Sequence, residues 1–154
     1  MQGTLKHCSM LLLTALVAAG CSIDPWMGHP FVVAHLTPQH AVVTSSGYAT
    51  IVEVEPPPLA KDSIAKVFQV EPARHTLTVE HAVSEETTHV GVNTREVAIA
   101  YSRCQLTFAF QPGKLYHVKK ASLNSAGELQ LFYGKERGVW LTEHNSDRPL
   151  AECK

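Results

Sequence analysis

The chain has 154 residues, 45% of them hydrophobic and 18% charged, with Lys+Arg 13 against Asp+Glu 14 and a formal charge of -1. That length carries one domain with a modest core, the balanced charge excludes a basic nucleic-acid-binding surface as the default, and the hydrophobicity excludes a largely disordered chain. Four cysteines and nine histidines are the features with chemical content.

Met1 to His7 is polar with the single Lys6, and Met10 to Ala19 is an apolar run interrupted only by Thr14. A membrane-spanning helix needs about 20 apolar residues, whereas a run of this length matches the central region of a secretory signal. The string Leu16-Val17-Ala18-Ala19-Gly20-Cys21 resembles the lipobox of bacterial lipoproteins, with Ala18 where Leu or Val is commonest. The resemblance implies cleavage before Cys21, a diacylglycerol on its sulfur and a further acyl chain on its new amine, a combination that anchors stably. An ordinary signal peptide cut after an A-x-A-like site, leaving Cys21 as a thiol, is the alternative. In such lipoproteins Ser22, rather than Asp, after the cysteine implies delivery to the outer membrane, facing the periplasm or the surface. The expected organisation is a signal over 1–20, a lipidated N-terminus and tether over 21–30, and a domain over 31–154. The nine residues Ser22 to Pro30 reach at most about 30 Å. Trp26 and Met27 either dip into the membrane interface or pack on the domain.

Beyond Pro30 no 3.6-residue pattern persists, and short β-rich runs alternate with turn residues. Phe31 to His35 is the first expected strand. Ala49 to Glu55 follows, with Val52 and Val54 opposite Glu53 and Glu55, and Pro56-Pro57-Pro58 ends it because proline donates no ladder hydrogen bond. Lys66 to Val70 and His75 to Val83 flank Glu71-Pro72-Ala73-Arg74, which fits a type I turn. Leu77, Val79 and Val83 alternate with Thr76, Thr78 and Glu80, as in a half-buried antiparallel strand. Ser84 to Arg95 is polar and reads as a long hairpin end or insertion. Val97, Ile99 and Tyr101 have opposite parity to Cys104, Leu106, Phe108 and Phe110, so a bulge near Ser102-Arg103 is predicted. Gln111-Pro112-Gly113-Lys114 fits a type II turn. Leu115 to Lys120, Leu129 to Tyr133, Val139 to Glu143 and Leu150 to Cys153 complete the set. The expected fold is all-β, a single antiparallel β-sandwich of seven to eight strands.

The order ATIVEVE, FQVEPARHTLTVE, QLTFAFQPGKLYHVKK, GVWLTE resembles small exported lipoproteins with a PEGA-like or transthyretin-like β-sandwich, and Arg74 to Val79 with Leu106 to Val118 carries the match. Ala73 stands where that pattern usually has Gly. The resemblance implies a fold and an envelope location, and no reaction.

With Cys8 removed and Cys21 acylated, Cys104 and Cys153 remain in a compartment that permits disulfides, and a bridge between them is expected; two separate thiols are the alternative. Six of the nine histidines form two candidate groups, His29, His35 and His40, then His75, His81 and His89. His75 and His81 lie roughly 20 Å apart along one strand, too far to share an ion. No HExxH or CxxC string is present, so scattered strand-end and surface histidines are expected, with transition-metal binding or sensing as the alternative function. Ser45, Ser46 and Ser63 lack a nucleophile elbow, and Glu53, Glu55 and Glu80 alternate outward as on a solvated sheet. Lys114, Lys119 and Lys120, with Tyr116 among them, read as a charged sheet edge or a contact for anionic headgroups or polymers. The leading expectation is a non-enzymatic envelope module without cofactor or nucleic-acid partner, bound to the membrane through Cys21 and to an unnamed envelope protein or polymer.

Overall fold

Pro30 opens a helix, where a strand was expected. In the computed structural model, which describes residues 26–45, 48–88, 95–130 and 138–154 without the side chains of 84–88 and 95–99, α1 spans Pro30–His35. Proline's fixed φ suits a first helical turn, where its missing N–H costs nothing. His29 Nδ1 accepts from Phe31 N at 3.3 Å and caps the start. The helix buries Val32 against Val42, Val67 and Leu115, with Trp26, Phe31 and Leu36 packed around them. Trp26 therefore packs on the domain, while Met27 is exposed.

Ten strands follow: β1 (Ala41–Ser45), β2 (Ala49–Glu55), β3 (Ala60–Asp62), β4 (Val67–Val70), β5 (Arg74–Thr88), β6 (Arg95–Ala109), β7 (Leu115–Leu123), β8 (Leu129–Gln130), β9 (Gly138–Glu143) and β10 (Pro149–Glu152). One sheet runs β10-β9-β7-β1-β4-β3 with β8 attached to β7, and the other runs β2-β5-β6. The all-β, sandwich-like expectation holds. Two details differ: there are ten described strands, and the β1–β7 pair is parallel, so the larger sheet is mixed. All five residues of β1 are buried, so it carries no polar alternation by which to recognise it.

The core lies between the sheets. Val43, Val70, Tyr116, Val118 and Leu141 from the larger sheet meet Ile51, Val54, Leu77, Val79 and Leu106 from the smaller. In β2 the register shifts between Ile51 and Glu53. This irregularity lets Ile51 and Val54 both point inward and leaves Val52 exposed, so Val52 and Val54 do not share a face. In β6 the predicted bulge is absent: β5 and β6 pair without interruption from Arg74↔Ala109 to Thr88↔Arg95. Cys104 packs on the core, and Tyr101 lies on the opposite face, 71% exposed. The parity conflict resolves because β2 pairs β5 only as far as His81. Beyond that point Ala100, Tyr101, Ser102 and Arg103 of β6 are exposed on both faces, so no core dictates which parity is apolar there.

The 111–114 turn places Gly113 at φ +72, with its N–H donating to His40 O at 3.0 Å. A Cβ there would meet only ordinary contacts, the nearest at 3.8 Å, so the backbone conformation alone opposes a side chain. Gly113→Ala is expected to cost about 1–2 kcal/mol by chemical denaturation, and Gly113→Asn less, because Asn visits this region more readily. At 71–74, Ala73 N donates to Glu71 O, a tighter closure than the type I turn expected.

The C-terminal residues join the two sheets. Cys153 N donates to Val139 O on β9, whereas Lys154 and Gln105 of β6 exchange both backbone hydrogen bonds, at 2.9 and 2.7 Å. Beside this crossing Cys104 and Cys153 stand bonded, with sulfurs 2.01 Å and Cα atoms 5.6 Å apart.

Candidate functional site

Pleating sends alternate residues of a strand to opposite faces. In β7, Tyr116 and Val118 enter the core, so His117 between them faces the other side of the larger sheet. Register places Thr44 of β1 and Thr142 of β9 directly beside it. These three form a polar row across three strands, and it is closed to solvent: Thr44 and Thr142 are 0% exposed and His117 4%. Such a row is costly unless its polar atoms find partners.

Most of them do. Thr44 Oγ1 lies 2.7 Å from His117 Nδ1 and 3.4 Å from Tyr116 O. His117 Nε2 lies 3.2 Å from His144 Nδ1, with ring centroids 5.5 Å apart. His144 follows the end of β9 and is fixed there by its own N–H, which donates to Leu115 O at 2.8 Å. Thr142 Oγ1 is buried with no hydrogen-bond partner among the described residues.

Protons can run through this chain in two directions. In one, His144 Nδ1–H donates to His117 Nε2, His117 Nδ1–H donates to Thr44, and Thr44 donates to Tyr116 O. In the other, Thr44 donates to His117 Nδ1, and His117 Nε2–H donates to His144. Either way, one proton lies between the two imidazoles.

The histidines singled out from the sequence go elsewhere. His35 Nδ1 bonds Phe31 O at 2.9 Å, and His40 Nδ1 pairs with Thr37 Oγ1 at 3.1 Å. His29 is spent on its helix cap. His75 is buried with its ring between Pro56 O and Glu71 O, where it ties the β2–β3 connection to the start of β5. His81 lies beside Lys120; burial first, then the Lys120 charge, holds its imidazole below the usual range. His89 lies outside the described residues, as does Cys21. Among the described residues, no three His, Cys, Asp or Glu side chains are grouped to hold a metal ion.

The lysine cluster also separates. Tyr116 is buried in the core, Lys114 pairs with Glu143, and Lys120 reaches between the sheets to the Ala82 carbonyl. The Glu143 partner raises the Lys114 pKa. Neighbouring lysines in sequence are thus committed to different contacts, and Lys114 and Lys120 are not an open basic edge. Ser45 is buried with Oγ donating to Lys66 O at 3.5 Å, Ser63 is exposed, and Ser46 lies outside the described residues. Glu80 pairs with Arg103 at 3.1 Å, while Glu53 and Glu55 are exposed.

Sequence reasoning missed the His117–His144 pair because the two are joined by strand pairing across a separation of 27 residues. The available signal was parity: His117 interrupts an apolar run between two core-facing residues. No protein-family model, curated protein or solved structure matches this chain.

Proposed function

We propose that this protein is an exported, lipid-anchored module of the bacterial envelope, attached through Cys21 at the outer membrane and serving a non-enzymatic binding or structural role toward an envelope protein or polymer. The observation that carries the reading is the Cys104–Cys153 bond, because paired cysteines of this kind belong chiefly to oxidising, extracytoplasmic compartments. It joins the lipobox-like string ending at Cys21 and the resemblance to PEGA-like or transthyretin-like lipoproteins. Among the described residues no helix is long and apolar enough to cross a membrane, and the acyl chains would supply the attachment. Because Trp26 packs on the domain, only residues 22–25 separate the acylated cysteine from the folded surface. Four residues span at most about 14 Å, so the domain would be held against the headgroups.

Replacing Cys21 by Ala is expected to move the protein from the membrane to the soluble envelope fraction and to abolish incorporation of radiolabelled palmitate. Retention of the variant in the membrane fraction would overturn the anchor.

A further inference from the structure

The buried row on β1, β7 and β9 has one feature that packing does not explain. It brings two imidazole nitrogens together around a single proton, next to a buried hydroxyl that has no described partner. We propose that His117 Nε2 and His144 Nδ1 form a binding site for a divalent late transition-metal ion of the zinc or copper class. The inference names a ligand for the binding role proposed above, but it depends only on the folded domain and not on the anchor.

Geometry carries the argument. Zinc–imidazole bonds are 2.0–2.1 Å long, and at that length two nitrogens 3.2 Å apart subtend about 100° at the ion. That is close to a tetrahedral angle, and it is reached at the nitrogen spacing already present. The ion takes the place of the shared proton. If that proton sits on His144 Nδ1, it transfers to His144 Nε2. If it sits on His117 Nε2, it transfers to His117 Nδ1. Both rings stay neutral, and both nitrogens that face the ion present lone pairs.

Thr44 makes the second transfer possible. Its hydroxyl has two acceptors in reach, His117 Nδ1 at 2.7 Å and Tyr116 O at 3.4 Å. Turning its proton to Tyr116 O lets it accept the new His117 Nδ1–H, which fixes the tautomer that ligates. This is the second-sphere hydrogen bond that metal-bound histidines generally make. Thr142, the register neighbour of His117, offers its unpartnered hydroxyl to a water on the ion. Burial of that oxygen is otherwise unfavourable, and an ion-bound water relieves it. Imidazole donors suit zinc, copper and nickel, and copper binds such sites more tightly than zinc. Two neutral donors make the site exchangeable, unlike the three- and four-ligand structural or catalytic zinc centres.

The test is calorimetric titration of zinc chloride into the untagged full chain in detergent. One saturable site with Kd of about 10 μM or below is expected, and copper(II) should displace the zinc. His144→Asn should weaken binding at least tenfold, and Thr44→Val about tenfold. His35→Asn and His81→Asn should leave it unchanged. Absence of saturable binding, or binding unaltered by His144→Asn, overturns the proposal. Should a variant fail to fold, the imidazole proton resonances of the wild-type chain decide. Zinc must first shift those of His117 and His144, and a first response from any other histidine refutes the site. Cys21→Ala should retain zinc binding, so failure of the anchor and failure of the metal site are read separately.

Discussion

Joint replacement of Cys104 and Cys153 by serine is expected to lower the stability of the domain by roughly 4 kcal/mol, read as a reduced midpoint in urea. The bond closes a sequence separation of 49, and in the chain-entropy model removing a cross-link over such a loop releases about 4 kcal/mol of disorder to the unfolded chain. The folded state loses something too. Both cysteines pack on the core, and beside them the chain passes from β9 to β6 through the paired backbone bonds of Gln105 and Lys154. Without the covalent tie, those two hydrogen bonds alone link Lys154 to β6, while Cys153 keeps its bond to Val139 on β9. The variant should therefore exchange the Gln105 and Lys154 amide hydrogens faster than the rest of β6. A change of less than 1 kcal/mol would show that the 153–154 segment stays docked through packing and its backbone hydrogen bonds alone.

Tyr116→Ala should be equally damaging, by about 3–5 kcal/mol, the range for deleting a buried aromatic ring. Tyr116 is 1% exposed, and its ring meets Phe108 and Phe110 edge-on at 5.5 and 5.0 Å between centroids. Phe110 in turn meets His75, so the ring completes an aromatic cluster between the sheets. The phenol oxygen accepts from Gln111 N at 3.1 Å, tying the strand to the turn that precedes it. Burial raises the Tyr116 pKa, so the phenol stays protonated at neutral pH. Tyr116→Phe removes that acceptor and keeps the ring. It should cost only about 1 kcal/mol, and the gap between the two variants, measured by denaturation, separates packing from hydrogen bonding. Near-equal losses would mean that the hydroxyl, and not the ring, organises this end of the sandwich.

Much of the strand inventory was legible because the smaller sheet has one wet face. Thr76, Thr78 and Glu80 alternate with His75, Leu77 and Val79, and that period of two is visible in any listing of the residues. The Pro112-Gly113 turn was legible for a stereochemical reason, since few residues other than glycine accept φ +72. The strand Ala41–Ser45 was not legible, because it lies mid-sheet with both faces covered and has no polar partner in its pattern. Phe31–His35 misled because its valines carry a strand signal, while Pro30 and the apolar patch of Val42, Val67 and Leu115 select a short helix. The metal-site residues were hidden for another reason. Neither His117 nor His144 belongs to a local motif, and their meeting depends on the β7–β9 pairing, which hydrophobic periodicity does not specify.

The parallel pairing of β1 with β7 has a consequence for the order of assembly. Thr44 meets His117 across a sequence separation of 73, so the mid-sheet strand waits for a long stretch of chain before its second neighbour arrives. Contacts of such long range slow folding. While the chain is still emerging, β1 has β4 as an early partner and presents its other edge, rich in valine, to whatever is near. Assembly is completed only when the last third of the chain delivers β7. If the chain is exported as proposed, that interval is when a holdase would be most useful, and the Ala41–Ser45 segment is what it would have to shield.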